Sequence, residues 1–399
     1  MSDYNTSLFR RLTWEGTVPL EIRVDPKELP ANSNRGLECY YVQAPRISYL
    51  PLIVPEIRRF LMDVVFDEIA AKSLKDEEWW FESEEGTLLK WYVFEQYSAS
   101  IRANKTIIYR HWPIGVLYDN HTISASLRSP TAPSSSTVTP MRLILHLAAP
   151  PNDKLFLSPT IESCKQAFMN QLKEADFIRW GNTKRMISLR KADQDGLWEG
   201  IRERECQISC SGFSITKVLN RFIDSFDDFW RVASKLMPSV GSPMRSISPP
   251  PNGSSLSRPL STDTANVDRD SAYNIRSVPV RIYLPDGPVL QEVAPPLLED
   301  GASLQKVIIA VHLSTILAGS PQTLSHFFST HLPLLFPPQP PPPPPSRHNP
   351  NPQAPNIPTL AHVLIQGVIS PPDAELAWLG ACMAGADGWL NMCVSINRR

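Results

Sequence analysis

The sequence predicts an α+β chain in which two small mixed units flank a helical middle region. Three observations carry this expectation. First, Val18-Pro19-Leu20-Glu21-Ile22-Arg23-Val24 and Val278-Pro279-Val280-Arg281-Ile282-Tyr283-Leu284 share one order of residue types. Both have the two-residue period of a half-buried strand. Second, each opens a similar succession of strand and helix signals. Third, apolar residues between the two units recur at helical spacing.

At 399 residues the chain is long enough for two or three domains. Its 40 prolines are about twice the usual share, and they are unevenly placed. Six fall in 238–259 and thirteen in 333–358, including the run Pro340 to Pro345. Such segments bury too little apolar surface to offset the cost of ordering, so they read as a linker and a long loop. Charge is balanced, with 39 basic against 40 acidic residues and a net of −1. A general nucleic-acid binder carries a basic excess, so nucleic acid is not an expected partner, and charge alone does not hold the chain on a membrane.

In the first region, β-type alternation at Val18–Val24 is followed by a second strand around Tyr40, Tyr41 and Val42. A helix is expected from Pro55, with Ile57, Phe60, Leu61, Val64, Val65 and Ile69 on one stripe. Strands follow at Trp79–Phe81 and Leu143–Leu147. The middle region reads as helical. Ile161, Cys164, Phe168, Leu172 and Ala175 form one stripe, which places Lys173 about 140° away on the solvent side. Leu197-Trp198 and Phe226 to Met237 read as further amphipathic helices. The third region continues from Val278 with a helix at Leu324–Leu332, apolar segments at Val363–Val368 and Ala374–Leu379, and a closing strand through Met392, Val394 and Ile396.

Catalytic chemistry is not evident. There is no Gly-x-x-x-x-Gly-Lys-Ser/Thr loop, no Gly-x-Gly-x-x-Gly after a strand, no His-Glu-x-x-His and no Gly-x-Ser-x-Gly. The acidic runs Asp76-Glu77-Glu78 and Glu82, Glu84, Glu85 read as solvated charges. Of six cysteines only Cys206 and Cys210 are close in sequence, and no second pair or histidine cluster completes a zinc site. His111, His121 and His146 read as facing solvent or a core edge. Trp79 and Trp80 divide between core packing and partner contact, and the polyproline run is a spacer rather than an SH3 ligand. No basic-then-apolar signal opens the chain and no run of 18 apolar residues occurs. The expectation is a reduced, soluble, intracellular protein that is not an enzyme and needs no metal or cofactor.

Several stretches resemble the autophagy protein 5 family. They are Pro45-Arg46-Ile47-Ser48-Tyr49-Leu50, Glu85-Gly86-Thr87-Leu88-Leu89-Lys90-Trp91, His111 through Asp119, Phe168 through Asp176, Leu197-Trp198-Glu199-Gly200, and Phe229-Trp230 through Lys235-Leu236-Met237. The resemblance implies two ubiquitin-like (β-grasp) domains around a helix-rich domain. On that map an N-terminal helix and the first ubiquitin-like domain occupy 1–150, the helical domain 158–237, a Ser/Pro linker 238–272, and the second ubiquitin-like domain 273–399. The resemblance further implies that Lys173 is the acceptor of an isopeptide bond from the C-terminal glycine of autophagy protein 12, with Ala175 and Asp176 shaping its surroundings. The conjugate, with autophagy protein 16 bound noncovalently through a helix, would act as an E3-like factor. It would stimulate the E2 that attaches autophagy protein 8 to phosphatidylethanolamine, and would sit peripherally on the forming autophagosomal membrane. The alternative is a noncovalent adaptor whose ubiquitin-like modules bind a partner helix while Lys173 is idle.

Three segments interrupt the family blocks: Tyr92–Arg110, Cys206–Arg221 and Ala302–Gly319. Each reads as translated intron. A GTAYGT donor fits inside the Trp91 codon, an AG acceptor of the same phase fits Tyr109-Arg110, and excision rejoins Lys90-Trp91 to His111-Trp112-Pro113. The other two segments can be cut in frame in the same way.

Overall fold

The computed structural model describes residues 3–30, 33, 36, 38–66, 74–75, 78–83, 112–128, 139–149, 160–209, 225–240, 270–285, 289–298, 319–338 and 359–397. The segment 92–110 lies outside them, as do 210–221, 302–318, most of the 238–272 linker and the polyproline run.

The first region is built on a four-stranded sheet. Strand β1 (Thr17–Val24) pairs antiparallel with β2 (Cys39–Pro45) and parallel with β4 (Met141–His146), and β3 (Trp80–Ser83) closes the order β2-β1-β4-β3. A parallel first and last strand require a crossover, which helix α2 (Leu50–Val64) begins. The alternation in β1 works as the sequence implies. Val18, Leu20, Ile22 and Val24 are buried, facing Ile53, Ile57 and Leu61 of α2 within one core.

Two expectations need correction here. Helix α2 begins at Leu50 rather than Pro55, with Pro51 in its first turn and Pro55 inside it, exposed. Leu50, Leu52, Ile53 and Val54 are all buried, and that burial outweighs the backbone bond that Pro55 cannot donate. Ile69 of the proposed stripe lies outside the described residues. The strand-strand-helix-strand-strand order also omits helix α3 (Ile114–Arg128), which intervenes between β3 and β4. Residues 112–117 are buried without interruption, so the segment shows no polar face to reveal a helical period.

The helical region comprises α4 (Ile161–Trp180), α5 (Lys184–Ser188), α6 (Lys191–Ser209) and α7 (225–233). Phe168, Leu172, Leu197, Trp198, Phe229 and Leu236 form its core. Ile161, assigned to the buried stripe of α4, is 37% exposed in the helix's first turn. Helix α1 (Asp3–Glu15) ties this region to the third. Trp14 packs on Phe229 with ring centroids 4.6 Å apart, and Phe9 meets Trp378 edge-on at 5.0 Å. Arg10 donates to Pro238 O and Ala381 O and lies over the Trp230 ring.

The third region repeats the first with one more strand. Its sheet runs β10-β9-β11-β5-β6, where β5 (Val278–Tyr283) and β6 (Val289–Ala294) form the hairpin. Strand β11 (Leu390–Ile396) lies parallel to β5, and β9 (Ala361–Ile365) with β10 (Val368–Ile369) completes the far side. The short pair β7 (Leu297–Leu298) and β8 (Ser320–Pro321) precedes the crossover helix α8 (Leu324–His331), and α9 (Leu376–Cys382) follows β10. The front of this sheet packs on α8 and α9 through Phe327, Phe328, Leu376 and Leu379. Its back is covered as well. Tyr283 meets Trp112 just ahead of α3, and Arg281 meets α4. Among the described residues no helix is long and apolar enough to cross a membrane.

Candidate functional site: an exposed lysine on a helix clamped from two sides

Helix α4 has clear boundaries. Thr160 caps its start, accepting from Ser163 N–H at 3.2 Å, with Glu162 in the first turn favouring the positive helix end. Gly181 ends it at φ 72°, its N–H bonding to Phe177 O at 2.8 Å. Twenty residues make a rod of about 30 Å.

Two sides of that rod are occupied. One presents Cys164, Phe168 and Leu172 to the helical core, where Tyr49 and Leu52 from the start of α2 also contribute. The other is bound to the back of the third-region sheet by polar contacts. Arg281 of β5, 2% exposed, donates to Gln171 Oε1 and to Asp387 Oδ2, both at 3.0 Å. Its guanidinium lies 4.0 Å from the Trp389 ring centre, a cation–π contact. Trp389 Nε1 in turn donates to Gln171 O at 3.2 Å, and Arg179 donates to Gly388 O. Burial pulls the Arg179 guanidinium down to about 10, opposed by the nearby Asp176 and Asp387 carboxylates. Nη1 makes both of the Arg281 hydrogen bonds, while Nη2 lies 3.9 Å from Glu174 Oε2, so the buried charge of Arg281 is held mainly by Asp387 and the Trp389 ring.

What remains is one exposed stripe, Glu162, Gln166, Asn170, Lys173 and Phe177, at the 4-4-3-4 spacing of a single helical face. Lys173 sits within it. Among the described residues no carboxylate lies within 4.0 Å of its amine, whereas Lys165, two turns back, is paired with Asp195 at 3.1 Å. Phe177, one turn on, is 52% exposed.

The other two residues singled out in the sequence face inward. Ala175 is fully buried against Gly388, whose φ of 81° leaves no room for a side chain on that side. Asp176, 1% exposed, accepts from Met186 N–H at 3.0 Å and so supports α5. Burial pushes its carboxyl up, and the Met186 N–H draws it back. Both residues thus help to place α4, and neither shares the exposed face of Lys173. Sequence reasoning missed Gln171, Arg281, Asp387 and Trp389. The available signal was a charged residue at the centre of the apolar strand Val278–Tyr283.

A second feature is a cleft of about 470 Å³ between α1 and residues 226–240, lined by Thr6, Arg10, Phe226 and Trp230 among others. Thiol chemistry is disfavoured at the buried cysteines. Burial raises the Cys164 and Cys393 thiols well above their usual range and pushes Cys382 to about 11, so little nucleophilic thiolate forms there. Cys210 lies outside the described residues.

Comparison with known proteins matches this layout part by part. Residues 13–147 match the profile described as the UblA domain of autophagy protein ATG5, 161–208 its alpha-helical bundle region, and 277–394 its UblB domain. The chain is 26% identical to Autophagy protein 5 of Penicillium rubens over 398 residues, and 27% identical to that of Aspergillus oryzae over 403. Each alignment covers 96% of this chain and 96% of the relative. Among solved structures, Atg5 of Kluyveromyces marxianus shares the fold, with a TM-score of 0.54, 18% identity, and coverage of 97% of this chain and 99% of that one. The ordered succession of ubiquitin-like sheet, helical bundle and second ubiquitin-like sheet places the chain in the autophagy protein 5 family.

Proposed function

We propose that this member of the family is a conjugation acceptor and scaffold, with Lys173 joined to the C-terminal glycine of autophagy protein 12. The observation that carries the reading is the combination at α4: an amine with no ion-pair partner among the described residues, on the exposed face of a helix clamped on two other sides. Attack of a neutral amine on a thioester carbonyl expels the carrier's thiolate and leaves an amide once the amine nitrogen loses its proton. Such a reaction needs an amine that protrudes and is held in place. The protein supplies the nucleophile but no catalytic group of its own. The exposed ring of Phe177 offers the incoming partner an apolar contact beside the amine.

The conjugate then serves as an E3-like factor that stimulates transfer of autophagy protein 8 to phosphatidylethanolamine, in the cytoplasm and peripherally on the forming membrane. The cleft beside Trp230 offers anchor pockets to the helix of autophagy protein 16. A working chain without the 19-residue segment Tyr92–Arg110 is part of this reading, because an apolar-rich insert there (Ile101, Ile107, Ile108) would put the strand pairing of the first ubiquitin-like domain at risk. Sequencing the transcript across Trp91–His111 tests that point, and a mature message retaining those codons overturns it.

The central test is Lys173→Arg, which keeps charge and helix propensity. The higher-mass covalent species is expected to vanish from denaturing gels while helix-partner binding persists. An unchanged band pattern would instead establish the noncovalent adaptor.

A further inference from the structure

The face of the first sheet turned away from α2 gathers four side chains that the acceptor function does not use. His146, at the end of β4, is 8% exposed, and its ring stacks on Trp80 at 3.9 Å and 11°. Its Nδ1 lies 2.7 Å from Glu28 Oε1 and 3.6 Å from Asp25 Oδ2, and its Nε2 lies 3.2 Å from Glu82 Oε2. The ligand atoms of Asp25, Glu28 and His146 all fall within 4.8 Å of one another. Both first-named carboxylates are anchored through their other oxygen. Lys27 N–H donates to Asp25 Oδ1 at 2.9 Å, and Leu147 N–H donates to Glu28 Oε2. Among the described residues no lysine or arginine nitrogen comes within 4.0 Å of any of the three carboxylates.

For a neutral imidazole the arrangement is one positive charge short. A neutral imidazole carries one N–H. With that hydrogen on Nε2, directed at Glu82, the Nδ1 lone pair points at a carboxylate oxygen 2.7 Å away. Two acceptors at that distance repel unless a positive charge lies between them. A cation held by Nδ1, Glu28 Oε1 and Asp25 Oδ2 removes the conflict and neutralises two of the carboxylates. Glu82 then plays the part of the outer carboxylate that orients a ligating histidine through its second ring nitrogen. Trp80 fixes the ring plane.

We infer that Asp25, Glu28 and His146 form a binding site for a divalent transition cation of the zinc type, oriented by Glu82 and Trp80. One imidazole and two carboxylates without a thiolate suit zinc or manganese, whereas magnesium and calcium prefer all-oxygen sets. Three protein ligands leave a position for water. The bound ion pins the turn after β1 to the ends of β3 and β4, and so stiffens the open side of the first ubiquitin-like domain.

The test uses full-length protein stripped with chelator, then titrated separately with zinc, manganese and magnesium chlorides. Bound metal is measured by equilibrium dialysis and stability by thermal melting. Expected is one zinc per chain with a melting temperature that climbs with zinc concentration, and no such response to equimolar magnesium. Glu82→Gln should weaken zinc 10–100-fold at unchanged stoichiometry, and Asp25→Asn, at the rim of the cluster, at least tenfold. His146→Gln should abolish binding, but it removes a buried side chain, so the Asp25 and Glu82 variants decide if it fails to fold. No saturable zinc uptake by the unmodified protein would overturn the site. Equal uptake by the unmodified chain, D25N and E82Q would overturn it too.

Discussion

The two ubiquitin-like sheets open with near-matching strands and meet opposite surroundings. In β1 the residues facing α2 are buried while Thr17 and Arg23 on the other face are exposed. In β5 all six residues are buried, because α4 and the segment around Trp112 cover the back of that sheet. Glu21 and Arg281 occupy the same place in the two strands. Glu21 is flanked by Arg23 and Arg142, whose side chains are about half exposed. Arg281 is sealed between Gln171, Asp387 and the Trp389 ring. The strand pattern thus sets which face is core. The neighbouring domain sets what a charge on the other face does: Glu21, 4% exposed, pairs with arginines that reach water, whereas Arg281 fastens one domain to another.

The strongest way to break this contrast is Arg281→Ala. It removes the guanidinium that lies 3.0 Å from both Asp387, a fully buried carboxylate, and Gln171 Oε1. Removing one partner of a buried pair costs about 3–5 kcal/mol, to be read from the urea midpoint at constant slope. A loss below about 1 kcal/mol would mean that the back of the second sheet is not fastened through this residue. The same variant should also slow formation of the covalent species proposed at Lys173, because α4 loses part of its polar attachment.

Gly388→Ala tests the same interface from the other side. At φ 81° an L side chain is strained, and its Cβ would stand 3.0 Å from Ala175 Cβ and 3.1 Å from Arg179 Nη1. Overpacking and left-handed strain together should cost about 1–3 kcal/mol, measured by the same unfolding curve. An unchanged midpoint would show that α4 can move away from the sheet without penalty.

Much of the first layer of this organisation is legible in residue order. Val18–Val24 and Val278–Leu284 reveal their strands because one face is core in both, and the Phe168–Leu172 side of α4 reveals its helix in the same way. Legibility ends where a buried run shows no alternation of residue types or where a contact depends on the partner domain. Helix α3 is hidden because it is buried between the sheets, and α2 starts before Pro55 because packing of Leu52 and Ile53 overrides a local breaker. Lys173 could be placed on solvent by counting turns. The clamp behind it could not, since Gln171, Arg281 and Asp387 meet across more than 100 residues of chain. The His146 cluster is hidden for the same reason. Asp25, Glu82 and His146 come from three strand ends that only the sheet register aligns.

The smallest expected effect completes the contrast. Glu21→Ala removes the counterpart of Arg281, yet it leaves Arg23 and Arg142 able to reach water. Glu21 itself is 4% exposed, but both of its arginine partners are about half exposed and stay hydrated, so the loss should stay below a third of that measured for Arg281→Ala and shrink further at high salt. The salt dependence separates two explanations for any loss seen. A solvated pair weakens as ionic strength rises, so wild type and variant converge. A desolvated one is insensitive, so their difference persists. Persistence at Glu21 would mean that the open face of the first sheet is as effectively shielded as the covered face of the second, and the distinction between the two sheets would fall.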